Sequence, residues 1–285
     1  MQERIKSRLE LEGIELPSVL FNQTIAGLTA HESTRGFLPK KLPEEALQAI
    51  TTSARIAPTS SNLQAYSIII VKDEQRKARL AALSGNQKFI SEAPVFLIFC
   101  ADICRLKYVT SKQGYKFAAE TLEIFLLSTV DAALALQNAL VAAESLGLGT
   151  VPVGSIRNDL TAVATELDLP QGVYAVAGLA IGYEREGVRR GVKPRLPEQV
   201  TLHNETYSTT DLDQYLNEYD QTMISRRTYD GRRVSLAGEP EKSGMEYGWS
   251  EHTARRCTKP EMIAASASLR ENLKSILEQQ GFSFK

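Results

Sequence analysis

The sequence predicts a mixed α/β or α+β layered domain, because short apolar segments alternate with helical segments along most of the chain. The segments at 65–71, 93–102 and 173–183 are predicted strands, and the second is apolar without alternation, which is typical of a buried strand. A run over 117–147 has the length of a helix and is apolar on nearly every side. Such a helix must be covered all round by other parts of the protein.

Length and composition place the chain among ordinary globular proteins. Its 285 residues suffice for one large domain or two small ones, and 43% of them are apolar and 24% charged. Lysine and arginine number 33 against 34 acidic residues, so the net charge is −1. A near-neutral chain is not suited to coat nucleic acid or anionic lipid, and we expect neither a nucleic-acid nor a membrane partner.

Cysteine usage and the N-terminal segment predict a cytoplasmic protein. Cys100, Cys104 and Cys257 cannot all pair, and we expect reduced and mostly buried thiols. No second cysteine pair or histidine lies near the first two, so no metal site is expected. The first 17 residues, MQERIKSRLELEGIELP, are charged throughout and lack the apolar region of a signal peptide.

Local signals predict the other elements. The sequence of residues 1–30 predicts a helical arm that is broken at Pro17. A second helix begins near Pro43, where a proline and two glutamates suit the first turn, and it ends before Pro58. The remaining predicted elements are a helix over 73–85 with a glycine stop, a strand-to-turn segment at 150–156, a helix from there to Leu167, and a final helix at about 259–280.

The long apolar helix over 117–147 is not predicted to span a membrane, because polar side chains interrupt it. A helix of this kind forms either the spine of a core or a dimer interface. The interrupting residues are Glu123, Ser128, Asp131, Gln137, Asn138 and Glu144.

The character of the chain changes after Lys193-Pro194-Arg195. Residues 196–250 contain few apolar runs and many polar and basic residues. Within them, 225–249 is a long loop rich in glycine, proline and charge. A loop of this length is either disordered or functional.

Glycines near the end of the long helix do not form a dinucleotide fingerprint. Gly147, Gly149 and Gly154 lack the G-x-G-x-x-G spacing and follow a helix rather than a strand. Gly147 is better explained as the stop of that helix. The segment Val153-Gly154-Ser155 can still offer backbone amides to a flat ligand that approaches the chain closely.

Hydroxyl and amide side chains cluster ahead of the first predicted strand, at Thr59, Ser60, Ser61, Asn62 and Gln64. They could bind a polyol or a phosphate. By itself, the cluster is better explained as a polar loop that caps a helix.

Three groups of basic residues are candidate anion sites. His31, Ser33 and Arg35 alternate, and on an extended segment they share one face. A phosphate there would meet an imidazole, a hydroxyl and a guanidinium. In each group the alternative is ordinary solvated charge, and no nucleophile–base pair accompanies them. The other two groups are Lys193 with Arg195, and Arg226, Arg227, Arg232 and Arg233.

Taken in order, these pieces resemble the nitroreductase superfamily. The similarity runs from about residue 27 to the C-terminus and is closest to the branch of the oxygen-insensitive NADPH nitroreductase of the major type and the P-type flavin reductase. The stretches that carry it are HESTRGF from His31, SARIAPTSSNLQAYSIIIV from Ser53, GNQK from Gly85, ALVAAESLGLGTVPVGSIRN from Ala139 and GYEREGVRRGVKPRLP from Gly182.

The resemblance implies an α+β fold with a mixed, mostly antiparallel sheet flanked by helices, in an intertwined homodimer. FMN sits at the subunit interface in this family, and each subunit wraps extensions around its partner. On that basis we expect an N-terminal helical extension at 1–26, an FMN-binding core at 27–195, and a C-terminal extension at 196–285 that contains the basic loop 225–249.

The resemblance also implies site residues. Arg226, with Arg232 or Arg233, matches the loop that such enzymes use for the 2′-phosphate of NADPH. The implied FMN contacts are His31, Ser33 and Arg35 at the phosphate and ribityl chain, Thr59, Ser60 and Ser61 beside the flavin, Gln87 near it, Pro152, Val153, Gly154 and Ser155 facing the ring, Glu123 near the active site, and Lys193 and Arg195 as the completing cations.

Several positions depart from the family pattern. Glu32 stands where an arginine is usual, and it avoids repelling the phosphate only if its side chain turns away, as its place on an extended segment allows. Pro152 stands where an aromatic residue is common, and Ser155 replaces a glycine. Residues 234–247 look inserted into the basic loop.

The function implied by the resemblance is ping-pong transfer of electrons from NADPH or NADH, through FMN, to a small-molecule acceptor. The flavin carries this chemistry, which agrees with the lack of a nucleophile. Three versions stay open: a reductase of nitroaromatics, quinones or related acceptors, a flavin reductase that supplies reduced FMN to a partner, and a non-catalytic FMN-binding protein.

Overall fold

The computed structural model describes residues 2–13, 22–187, 191–231, 233–236, 246–258 and 272–284. Pro17, Arg232, residues 237–245 of the apparent insertion and residues 259–271 of the predicted final helix lie outside this part. The elements are α1 (Gln2–Glu12), α2 (Gln23–Thr29), α3 (Glu44–Arg55), β1 (Tyr66–Val71), α4 (Glu74–Leu83), α5 (Lys88–Glu92), β2 (Val95–Asp102), α6 (Cys104–Lys112), α7 (Leu122–Ser145), β3 (Gly149–Val153), α8 (Leu160–Glu166), β4 (Val173–Gly182), α9 (Glu198–Thr201), α10 (Leu212–Ser225), α11 (Trp249–Thr258) and α12 (Leu273–Gln279).

The four strands form one antiparallel sheet in the order β1-β2-β4-β3. Strands β2 and β4 are central, and β1 and β3 form the two edges. We expected a mixed, mostly antiparallel sheet, and all pairings between these strands are antiparallel. In the described residues, parallel pairing is confined to a one-residue bridge between Ser33 and Thr150.

Helices cover both faces of the sheet, and strand β2 shows how. All eight of its residues are buried, and alternate side chains enter opposite layers. Phe99 belongs to a cluster that includes Ile50 of α3 and Ala135 of α7. Phe96 belongs to a second cluster that includes Leu80 of α4. The predicted α+β layering is therefore confirmed.

Most predicted elements lie where the local signals put them. Asp73 caps α4 by accepting the Arg76 N–H at 2.7 Å, and Gly85 follows that helix with a φ of +79°. Two short helices, α5 and α6, were not predicted. None of the residues of α6 is buried, and only Cys104 and Leu106 pack partly buried against the core clusters. Helices α9 and α10, which lie in the predicted C-terminal extension, were not predicted either.

The long helix α7 is shorter and more exposed than predicted. It begins at Leu122 rather than 117, because the Thr121 side chain accepts the Ile124 N–H and caps the first turn. It is not covered all round within the chain, because four apolar side chains at four-residue spacing stay exposed. This stripe consists of Leu122, Leu126, Val130 and Leu134. Among the described helices, α7 alone has the length and apolarity to cross a membrane, a test that core helices of soluble proteins also pass.

The thiols are less buried than expected. Cys100 is buried in β2, and burial raises its pKa to about 12. Cys104 is only partly buried, and Cys257 is exposed. The prediction of mostly buried thiols is therefore wrong for Cys257, which lies on a helix of the polar C-terminal segment.

The chain divides into two compact units. The sheet unit comprises His31–Arg190 and Ala265–Lys285, and it contains the whole sheet. Its C-terminal residues join the core, since Phe282 packs edge-on against Tyr174 of β4 with ring centroids 5.3 Å apart. The helical unit comprises Met1–Ala30 and Gly191–Ala264, and α10 and α11 contact each other within it through the rings of Tyr219 and Trp249.

Candidate functional site

The segment that contains His31 lies along the outer edge of β3. The Thr34 N–H donates to the Thr150 carbonyl at 2.8 Å, beside the bridge between Ser33 and Thr150. Burial alternates along the segment, because Glu32 and Thr34 are buried and Arg35 is exposed. The predicted alternation is confirmed. Glu32, which departs from the family pattern, lies on the opposite face of the segment from His31, Ser33 and Arg35.

A carboxylate that the sequence analysis did not single out holds His31. Glu144, in the last turn of α7, accepts from His31 Nδ1 at 2.7 Å through its Oε1 atom. The same oxygen accepts from Thr150 Oγ1 at 2.6 Å. Because a carboxylate only accepts, the imidazole proton lies on Nδ1 and the other ring nitrogen faces away from Glu144.

The edge of β3 leaves room for a flat ligand. The Thr150 carbonyl points away from β4, so the backbone of Pro152, two residues on, points the same way. A proline on an outward position of an edge strand costs no sheet hydrogen bond. Pro152 and Gly154 are both exposed. Beyond them, the Gln87 amide donates to Ser155 Oγ and, at 3.2 Å, to the Ser84 carbonyl.

The hydroxyl run forms a tight loop held by Asp131 of α7. Asp131 is 1% exposed and accepts the Ser60 N–H at 3.0 Å and the Ala65 N–H at 3.1 Å. Between them, Ser61 and Asn62 take left-handed backbone conformations, with φ of +48° and +55°. The predicted capping role is wrong, since Thr59 makes no side-chain cap to the short turn Ser60–Asn62. Ser60 and Ser61 are instead exposed, and Thr59 is half-buried.

The predicted flavin contacts fall into two groups at opposite corners of the sheet. We call His31, Ser33, Arg35, Gln87 and residues 152–155 the β3-edge group, and Thr59–Ser61 the hydroxyl loop. Along α7, Asp131 and Glu144 are 13 positions apart, or about 20 Å at 1.5 Å per residue. Across the sheet, β1 and β3 are separated by three strand spacings, about 14 Å. One chain therefore does not bring the two groups together.

A groove with a volume of about 870 Å³ opens beside the hydroxyl loop. It runs along β1 between α3 and α6, and its walls include Leu63, Ile70 and Val109, which are large and exposed apolar residues. Glu123 is exposed in the first turn of α7, next to Ile124 of the groove wall. Glu123 thus lies on the side of the hydroxyl loop and not of the β3-edge group.

The helical unit contains the predicted cations outside the sheet. Lys193 and Arg195 are exposed and line a pocket of about 460 Å³ together with Tyr219, Tyr229 and Trp249. In the basic loop, Arg226 donates to the Val192 carbonyl at 3.3 Å. Arg233 lies over the ring of Tyr247, with its guanidinium carbon 5.3 Å from the ring centre. That these cations bind FMN or NADPH stays a prediction.

The contacts of Asp131 and Glu144 were not predicted, although both residues interrupt an apolar helix in the sequence. Asp131 is buried and Glu144 is half-buried, and carboxylates in such places need hydrogen-bond donors, so these two interruptions mark points where another segment docks. The sequence does not show which segment docks there, because the partners of Asp131 lie more than 60 residues away and His31 lies 113 residues from Glu144.

The β3-edge group fits FMN by the chemistry of its donors. Arg35 supplies an exposed guanidinium and Ser33 a hydroxyl for a phosphate or a ribityl chain. Gly154, which has no side chain, lets a ring approach the backbone closely. Among the described residues, no three histidine, cysteine or acidic side chains are grouped as metal ligands would be.

Comparison with known proteins gives the family. The sequence matches the Nitroreductase family over residues 28–183 and the C-terminal domain of the same family over residues 193–285. The chain therefore belongs to the nitroreductase family, which confirms the resemblance drawn from the motifs.

Individual relatives agree with this placement. The chain is 39% identical to an "FMN reductase (NADPH)" of Bacillus subtilis over 218 residues, which cover 74% of this chain and 87% of the relative. It is 36% identical over 249 residues to the "NADPH-flavin oxidoreductase" of Vibrio harveyi, and these residues cover 82% of this chain and 100% of the relative. The solved structure of NfrA2 from B. megaterium superposes with a TM-score of 0.81 at 33% identity and covers 93% and 100% of the two chains.

Proposed function

We propose that this chain is an FMN-dependent NAD(P)H oxidoreductase that reduces nitroaromatics, quinones or related acceptors by a ping-pong mechanism. The observation that supports the proposal best is the outer edge of β3. There Pro152 and Gly154 are exposed, while His31, Ser33 and Arg35 share one face at the other end of the strand. This arrangement suits a flat ring joined to a phosphate.

In this proposal, the chain's own residues bind and orient the cofactor. When bound, FMN supplies the transfer of a hydride and electrons between nucleotide and acceptor. Arg35 and Ser33 bind the phosphate end, and Glu144 orients the His31 imidazole beside them. Gln87, fixed by its bonds to Ser84 and Ser155, orients the polar edge of the ring. Lys193 and Arg195 enter the proposal only through the family resemblance.

We infer that the active form is a homodimer in the cytoplasm. The hydroxyl loop lies at the opposite corner of the sheet from the β3-edge group, so a second copy must bring its own loop to a flavin on that edge. The exposed apolar stripe of α7 supports the same conclusion, because four large side chains at one helical spacing need a cover. Symmetry then gives two equivalent sites.

The spectrum of the purified protein tests the proposal. We expect FMN to co-purify or to bind with the absorption of an oxidised flavin, and to bleach on anaerobic addition of NADPH or NADH. Nitrofurazone or a quinone should then restore the oxidised spectrum. A colourless protein that takes up no FMN would contradict the proposal.

A flavin reductase is the second candidate, and the names of the B. subtilis and V. harveyi relatives favour it. Steady-state rates with nitrofurazone and with free FMN as acceptors separate the two functions. A higher kcat/KM with free FMN would indicate a protein that supplies reduced flavin to a partner. A bound flavin that neither nucleotide bleaches would instead indicate a non-catalytic FMN-binding protein.

A further inference from the structure

Three ring side chains meet where the basic loop begins and ends. Tyr229 stacks on His252, with ring centroids 4.3 Å apart and planes at 24°. Tyr247 packs edge-on against both, with its centroid 6.2 Å from Tyr229 and 5.9 Å from His252. Tyr229 precedes the apparent insertion at 234–247, and Tyr247 ends it. The rings therefore tie the two ends of this segment to helix α11.

Tyr247 holds the chain at the position of the predicted phosphate contact. Its hydroxyl accepts the Val234 N–H at 2.8 Å and lies 3.3 Å from His252 Nδ1, where it can donate its own proton. The Arg233 guanidinium lies over its ring, as a cation–π contact requires. One side chain thus contacts Arg233 directly and also fixes the backbone of the next residue.

Partial burial favours the uncharged forms of Tyr229 and His252. It raises the pKa of Tyr229 to about 12, with smaller contributions from Tyr219, Asp220 and Tyr247. It lowers the pKa of His252 below its usual 6.5, and Arg256 on the same helix acts in the same direction. A neutral His252 keeps a ring nitrogen that can accept the Tyr247 proton, so the hydrogen-bond chain persists at neutral pH.

We propose that Tyr229, Tyr247 and His252 form an aromatic clamp that positions Arg233 for the 2′-phosphate of NADPH, and that Tyr247 thereby sets the preference for NADPH over NADH. This inference rests on the proposed function and on the prediction, drawn from the family resemblance, that the basic loop binds that phosphate. NADH lacks the 2′-phosphate. A displaced Arg233 therefore weakens the binding of NADPH and leaves the binding of NADH unchanged.

Tyr247→Phe tests the clamp, because it keeps the ring under Arg233 and removes the hydroxyl that bonds Val234 and His252. We expect the KM for NADPH to rise about three- to tenfold, the effect of a lost hydrogen bond, while kcat and the KM for NADH stay unchanged. Tyr207→Phe is the matched control. Tyr207 pairs with the ring of His203 at 4.2 Å in the same unit but outside the basic loop, and it is 78% exposed.

A binding measurement separates the clamp from the rest of the proposed function. Calorimetry with adenosine 2′,5′-bisphosphate and with AMP reports the 2′-phosphate contact without turnover, and Arg233→Ala gives the full loss. If Arg233→Ala leaves the bisphosphate affinity unchanged, the phosphate role of the loop fails and the clamp fails with it. If Arg233→Ala weakens bisphosphate binding and Tyr247→Phe does not, the basic loop binds the phosphate but the role of the clamp is wrong. An equal loss for AMP and the bisphosphate also overturns the clamp.

Discussion

Glu144 links the docking of one segment to the orientation of one ring. Its Oε1 atom accepts from His31 and from Thr150, and Thr150 in turn bridges Ser33 through the backbone. The carboxylate therefore fixes both where the His31 segment lies on β3 and which imidazole nitrogen carries the proton. Two donors that share one acceptor leave two unsatisfied groups when that acceptor is removed.

Glu144→Ala is therefore expected to weaken FMN binding about tenfold, because His31 and Thr150 lose a partner worth about 1–3 kcal/mol. Glu144→Gln, whose amide oxygen still accepts, should retain most of the affinity. Titration of apo-protein by quenching of FMN fluorescence measures both variants. Equal losses in the two variants would contradict a role as acceptor and indicate that the negative charge itself matters.

At the scale of elements, a side chain of β2 fills the space beside one residue of β4. That residue is Gly178, and the side chain is Phe96. A Cβ atom at Gly178 would overlap the ring of Phe96. Phe96 is fully buried in the cluster under α4 and α8, so its ring has no free space to enter. The glycine is required here by contact across the sheet and not by backbone conformation.

Gly178→Ala should therefore lower the free energy of unfolding by about 1–3 kcal/mol, the usual cost of overpacking a core. Gly27→Ala is the matched control, since a Cβ at that position of helix α2 meets nothing within 4 Å. A helical glycine replaced by alanine should add about 0.5–1 kcal/mol. Urea denaturation measures both, and a Gly178→Ala protein as stable as the parent would show that Phe96 can move.

The elements that the sequence predicted are those with strong local patterns. Strand β2 is apolar throughout and α3 is amphipathic with a clear first turn, so their positions follow from periodicity and capping. The start of α7 was predicted too early, because residues 117–120 fit the helical pattern of the residues that follow. The Thr121 cap sets the first residue of the helix at Leu122. The hydroxyl loop was assigned to a cap because its true partner, Asp131, lies 71 positions from Ser60.

At the scale of the whole molecule, the motifs predict flavin contacts, but they do not predict where in the fold those residues lie. Sequence order says nothing about which corner of a sheet a loop reaches. That depends on strand order and on the diagonal path of α7, which contacts Ala65 beside β1 through Asp131 and Thr150 of β3 through Glu144. The resulting separation of about 20 Å along α7 is the reason for the proposal that one site takes residues from two chains.

Mixing two inactive variants tests this requirement. Arg35→Glu places a negative charge on the β3-edge group, and Ser60→Tyr puts a bulky side chain on the hydroxyl loop while keeping the N–H that Asp131 accepts. Each homodimer should lose FMN. In a mixed dimer, one site combines the intact edge of one chain with the intact loop of the other, so unfolding and refolding an equal mixture should restore about a quarter of the sites. If both groups served a flavin in the same chain, every site in the mixture would carry one lesion. FMN uptake by the refolded mixture would then equal that of either variant alone, and the two-chain site would be disproved.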